Sequence, residues 1–288
     1  MNPTLARIMS LLGLASLGEG LFILFRVVPH ESPLLGAGLA ALGALLLFFA
    51  RPARIERLPR AAVGLAGAAI AGAVLAFNLL RHSTFAPPEI ALVGLGLLLV
   101  ALAPFVDRAG VATPVAWALP VAGAPLAVWA AQAFTKTSFG GATPLELFIV
   151  YGLVTPMALI LDGIGFPSTV HGQVIVFPTA RGSMSLNVGA ACSGLQAMGL
   201  FSGILLMFIV TEKPDWRRGA FWCAIGLFGV YAINVIRLVV LALVGYQWGS
   251  AALQWTHANA GWAFFVAWTG IFAWLAMGRK PKRAPIPA

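Results

Sequence analysis

Three side chains able to carry out acyl transfer are spaced through the last third of the chain. They are Cys192 in Ala191-Cys192-Ser193-Gly194-Leu195, Arg237 in Asn234-Val235-Ile236-Arg237, and His257 ahead of the last apolar stretch. A thiolate is the competent nucleophile, and a nearby imidazole or cation generates it from the thiol. The imidazole of His257 could accept the Cys192 proton and return it to a leaving amine. In a low-dielectric setting, the guanidinium of Arg237 could hold the oxyanion of a tetrahedral intermediate. Such a site requires a scaffold that brings residues 192, 237 and 257 to one place.

Composition identifies the medium of that scaffold. The chain has 288 residues, of which 60% are apolar and 9% charged, and its mean hydropathy is +0.93. A water-soluble domain of this length would expose very large apolar patches at that composition, so an all-α polytopic membrane protein is expected. A spanning helix needs about 20 largely apolar residues. Candidate stretches fall at 8–27, 34–50, 61–80, 90–106, 115–134, 145–161, 191–210, 220–245 and 261–277. The first has no small-residue cleavage site and reads as a retained span, not a signal peptide.

The net charge of +9 does not indicate a nucleic-acid partner, because the cations cluster at the ends of apolar stretches with no aromatic-interleaved basic face. They read as orientation signals. Short loops rich in Lys and Arg stay cytoplasmic, and three clusters qualify: Arg51, Arg54, Arg57 and Arg60; Lys213, Arg217 and Arg218; Arg279, Lys280, Lys282 and Arg283. If all nine stretches crossed, the first cluster would lie opposite the other two, so one stretch must not cross. The weakest is 145–161, which begins at Pro144-Leu145-Glu146, contains Pro156 and runs into Asp162. It is expected to form an interfacial helix on the outer side.

About eight transmembrane helices then remain, with both termini cytoplasmic. Thirteen cations fall inside and four outside: Arg26, Arg81, Lys136 and Arg181. Four regions follow: an N-terminal five-helix membrane region at 1–134, an extracytoplasmic interfacial helix and cap at 135–190, a three-helix membrane core at 191–277 and a basic cytoplasmic tail at 278–288. Within the cap, Val174-Ile175-Val176-Phe177 and Ser185-Leu186-Asn187-Val188 flank a turn and read as a short β-hairpin.

The same topology brings the three reactive groups to one depth. Cys192 opens a stretch running from outside to inside. Arg237 lies 17 residues after Ala220, about 25 Å up the next helix at 1.5 Å per residue. His257 is expected in the following outer loop. Arg237 within a span costs at least about 2.5–3.5 kcal/mol, which marks a functional site more often than a snorkelling cation. Asn234 stands one helical turn before it and can orient it. A lone membrane cysteine is usually apolar filler, and Cys223 fits that description. Cys192 and Cys223 occupy opposite leaflets, too far apart for a disulfide. Asp162 is a possible orienter of the imidazole.

Ala191-Cys192-Ser193-Gly194-Leu195, then Asn234-x-x-Arg237, then His257-x-x-x-Gly261-Trp262 resembles the exosortase/archaeosortase family of membrane transpeptidases. The resemblance is strongest over about 145–277, while the first 110 residues match in hydropathy alone. It implies Cys192 as nucleophile, Arg237 as electrostatic stabiliser and His257 as general acid/base, with Ser193 and Gly194 in support. It also implies exported proteins with a tripartite C-terminal sorting signal as substrates, processed at the outer face of the cytoplasmic membrane. A membrane lipid or other amine is the implied acceptor, and no cofactor or metal is implied. Gln196 is a departure, since many members carry arginine there.

A transporter or channel binding an anion at Arg237 is the alternative reading. It leaves Cys192 and His257 unexplained, and the chain has no repeat symmetry. A thiol oxidoreductase would need a Cys-x-x-Cys pair and a zinc hydrolase a clustered ligand set, and neither is present in the sequence.

Overall fold

The computed structural model describes residues 3–24, 33–50, 58–81, 85, 87–108, 110–113, 115–116, 142–179, 182–189, 192–212 and 214–278. Four helices come first: α1 (Pro3–Leu24), α2 (Pro33–Ala50), α3 (Arg60–Arg81) and α4 (Pro87–Leu102). α1 packs along α2 and α3 along α4. Small residues let these backbones approach closely, which substitutes in lipid for the missing hydrophobic drive. A side chain at Gly20 would run into the backbone of Ala40, and one at Gly43 into that of Leu17.

After the fifth expected stretch comes α5 (Pro144–Gly163), and three further helices close the chain: α6 (Leu195–Glu212), α7 (Trp216–Trp248) and α8 (Ser250–Gly278). Arg7 on α1 pairs with Glu212 at the end of α6 at 3.0 Å. The start of α1 and the end of α6 therefore share one end of the bundle, as the charge pattern requires. A core of Leu14, Leu200, Phe201, Phe208, Phe265 and Phe272 joins α1, α6 and α8, with Val230 of α7 packed into it.

Four segments among the described residues are long and apolar enough to cross a membrane: Pro33–Ala50, Arg60–Leu80, Pro144–Gly163 and the run Trp216–Asn259. Leu92–Phe105, Leu195–Ile209 and Gly261–Met277 are shorter apolar helices. Most of the expected stretch 115–134 lies outside the described residues, so these helices do not fix the count at eight.

α5 departs from the expected interfacial helix. It starts with a capping box, in which Thr143 Oγ1 accepts from Glu146 N at 3.2 Å and Glu146 Oε2 accepts from Thr143 N at 2.7 Å. Its middle, Phe148–Val154, widens into a π-helical turn. The cause is Pro156, which has no N–H to give the Gly152 carbonyl four residues back. The N–H and hydroxyl of Thr155 both donate to the Val150 carbonyl, and the released Gly152 carbonyl accepts from the Tyr231 hydroxyl at 2.7 Å. Fourteen residues after Gly152, Phe166 stacks edge-on against Tyr246 with ring centroids 5.0 Å apart. Gly152 and Phe166 thus meet α7 at points 15 residues apart, so α5 runs beside α7. An interfacial helix would cross α7 at a single level.

The expected hairpin is present and longer than the sequence suggests. β1 (Thr169–His171), β2 (Val174–Thr179) and β3 (Gly182–Asn187) form an antiparallel sheet in the order β1-β2-β3. Ile175 pairs with Leu186 and Thr179 with Gly182. Ile175 and Phe177 on β2 and Leu186 on β3 are buried, following the alternation of a half-covered sheet. They share a second core with Leu153, Met157 and Leu161 of α5 and with Leu238 of α7. β1 has three exposed residues and no hydrophobic alternation, so nothing in the sequence marked it.

Candidate active site

The site is assembled on the two longest helices. At 1.5 Å per residue, the 33 residues of α7 extend about 50 Å and the 29 of α8 about 44 Å, beyond a hydrocarbon core of about 30 Å. They join at Gly249, whose φ of 84° turns the chain back on itself. His257 lies two turns into α8, not in a loop. Ser250–Asn259 is polar enough to end an apolar stretch, yet it contains no Gly or Pro to end a helix. Hydropathy marks contact with lipid, whereas the helix continues past it.

Cys192 occupies the turn before α6. Its N–H donates to the Gly189 carbonyl at 2.9 Å, and the residue is 6% exposed. Ser193 is buried, and its hydroxyl accepts from Leu195 N at 3.4 Å at the start of α6. Gly194 has φ +73°, and a β-carbon there would lie 2.7 Å from Cγ and Nδ2 of Asn234. Asn234 fills that space. Its Nδ2 donates to the Cys192 carbonyl at 3.1 Å, and its Oδ1 accepts from Arg237 Nη1 at 3.4 Å.

These contacts bring the three reactive groups together. Cys192 Sγ lies 3.9 Å from His257 Nδ1 and 3.8 Å from Nε2. Arg237 Nη2 lies 3.3 Å from His257 Nδ1. Arginine only donates, so Nδ1 must accept, and the proton of the neutral ring sits on Nε2. Burial pushes the Cys192 thiol up from its ordinary value, against an opposing pull from the Arg237 charge and from the Gly189 backbone N–H that faces the sulfur. Burial thus disfavours the thiolate, and a neighbouring base is what would generate it.

A cavity of about 70 Å³ opens beside the cluster, with Glu19, Gly194, Gln196, Arg237, His257 and Gly261 among its lining residues. Glu19 of α1 is 8% exposed and was missed by the motif reading, although a carboxylate within an apolar stretch is itself a signal. Asp162, the suggested orienter, is exposed at the far end of α5 and does not line the cavity. Cys223 packs on the α1/α6/α8 core, and both cysteines are free.

The helices and the small sheet define a multi-pass membrane protein with a polar cluster enclosed at the junction of α6, α7 and α8. Residues 32–274 match the transmembrane exosortase family, and the chain belongs to that family. The match reaches back to residue 32, well before the motifs that carried the resemblance. Neither the curated proteins nor the solved structures provide a match.

Proposed function

We propose that the protein is a membrane cysteine transpeptidase that cleaves C-terminal sorting signals of exported proteins at the outer face of the cytoplasmic membrane. The observation carrying this reading is the contact of one imidazole with both the Cys192 thiol and the Arg237 guanidinium. Family membership supports it.

In the proposed reaction, His257 takes the Cys192 proton, Sγ bonds to the scissile carbonyl carbon, and the C=O π bond opens to an oxyanion. The lone pair of the neutral ring is at Nδ1, where Arg237 now donates. Protonation of Nδ1 displaces that donor and turns the like charges apart, freeing Arg237 for the oxyanion as it forms. Collapse breaks the C–N bond, the imidazolium protonates the leaving amine, and the released segment departs with its transmembrane helix. The resulting thioester passes to an amine, such as a lipid headgroup, or to water. A substrate tail with its basic end in the cytoplasm presents its scissile bond at the level of Cys192.

The test is mass spectrometry of candidate substrate C-termini in cells with the native protein and with Cys192→Ala. Loss of processing with expression unchanged is expected. Full processing by Cys192→Ala would reject the enzyme.

A further inference from the structure

Two donors on the cavity wall have no acceptor. Arg237 Nε and Gln196 Nε2 are both fully buried and make no hydrogen bond, and both side chains line the cavity beside His257. Among the described residues, only Ser16 Oγ and Trp262 Nε1 share that condition. A buried donor left without an acceptor loses the hydrogen bond it made to water and gains none in return. Two such costs on one cavity indicate a place kept for an acceptor oxygen. Gln196 lies in the first turn of α6, where backbone N–H groups lack helical partners and the helix dipole is positive. The cavity volume of about 70 Å³ is several times the roughly 10–15 Å³ that one water needs, enough for a small carbonyl group. Its charged lining residues are Arg237 from α7 and Glu19 from α1, with His257 from α8 as the titratable neighbour. A neutral carboxamide adds a donor without upsetting that balance.

We propose that Gln196 is a catalytic residue whose carboxamide joins Arg237 Nε in binding the oxygen of the carbonyl attacked by Cys192. The assignment rests on the acyl-transfer reading above. It predicts that the site recognises the scissile amide through two converging donors from different helices.

The experiment uses the full chain in detergent with two small probes. Carbon-13-labelled acetaldehyde adds the Cys192 thiol across its C=O: an S–C bond forms, the π bond opens, and the thiol proton ends on the oxygen. The resulting hemithioacetal is followed by its carbon resonance and offers an oxygen to both donors. Iodoacetamide alkylates the same sulfur: an S–C bond forms, the C–I bond breaks, and iodide and the thiol proton leave to solvent, with no oxyanion. Gln196→Met keeps the bulk and loses the donor, and Gln196→Glu replaces it with an acceptor. Both should weaken the aldehyde adduct roughly ten- to a hundredfold, with alkylation rates within about threefold of the native protein. Native adduct affinity in Gln196→Met would overturn the assignment. So would an equal fall in alkylation, which would mark a structural collapse. A native protein that alkylates at Cys192 yet forms no hemithioacetal would instead reject acyl transfer itself, and the role of Gln196 with it.

Discussion

Replacing Gly194 with alanine separates backbone strain from the packing that holds the site. Gly194 has φ +73° and Gly165 has φ +71°, so a β-carbon costs about 1–2 kcal/mol of left-handed strain at either position. At Gly165 the new methyl meets nothing within 4 Å, whereas at Gly194 it would lie 2.7 Å from the Asn234 carboxamide. Asn234 must move and lose its 3.1 Å bond to the Cys192 carbonyl, adding about 1–3 kcal/mol for a buried amide left unmade. Gly165→Ala should therefore lower stability slightly and leave turnover near native. Gly194→Ala should lose a further five- to hundredfold or so in turnover as Cys192 and Arg237 drift from His257. Detergent thermal unfolding and cleavage of a sorting-signal tail, measured on both variants, test the difference. Equal effects at the two glycines would refute the claim that Asn234 sets the geometry of the site.

Arg237→Lys keeps the charge and loses the planar fork that reaches Asn234 and His257 together; tail cleavage should fall at least about tenfold with little change in thermal stability, and near-native cleavage would reduce Arg237 to a positioning charge and revive the transporter. The course of α5 beside α7 predicts that its two ends lie on opposite sides of the membrane. In a background lacking Cys192 and Cys223, a cysteine at Gly172 should label with an impermeant reagent in intact cells and one at Thr143 only after permeabilisation; labelling of both from outside would restore the interfacial helix.

The candidate site was legible because its residues are chemically rare in such a chain: a guanidinium in an apolar helix, a thiol at the mouth of another, and an imidazole beyond. Spacing along helices of known rise put Arg237 level with the thiol and the imidazole, and in the structure its guanidinium reaches His257. The hairpin was legible because the short runs 174–177 and 185–188 flank a turn with Pro178 and Gly182, and Ile175, Phe177 and Leu186 form its buried face. Charge parity required one stretch not to cross without naming it, and Pro156 made α5 look broken. The structure shows how such a break is mended, through a π-turn and a tyrosine from α7. That repair depends on a residue 75 positions away, which no local pattern could reveal. The unmet donor of Gln196 was hidden for the same reason, since its meaning lies in a cavity formed by several helices, whereas Glu19 did leave a signal as a carboxylate within an apolar stretch.

Asn234 grips the carbonyl of Cys192 and leaves the sulfur untouched. The position of residue 192 is therefore fixed through main chain, while its small side chain packs at the edge of the second core and faces His257. Position 192 behaves as a socket: selenocysteine or serine installed there would arrive opposite His257 without rebuilding the wall around it, so the reactivity of the site can be varied while its architecture stays fixed.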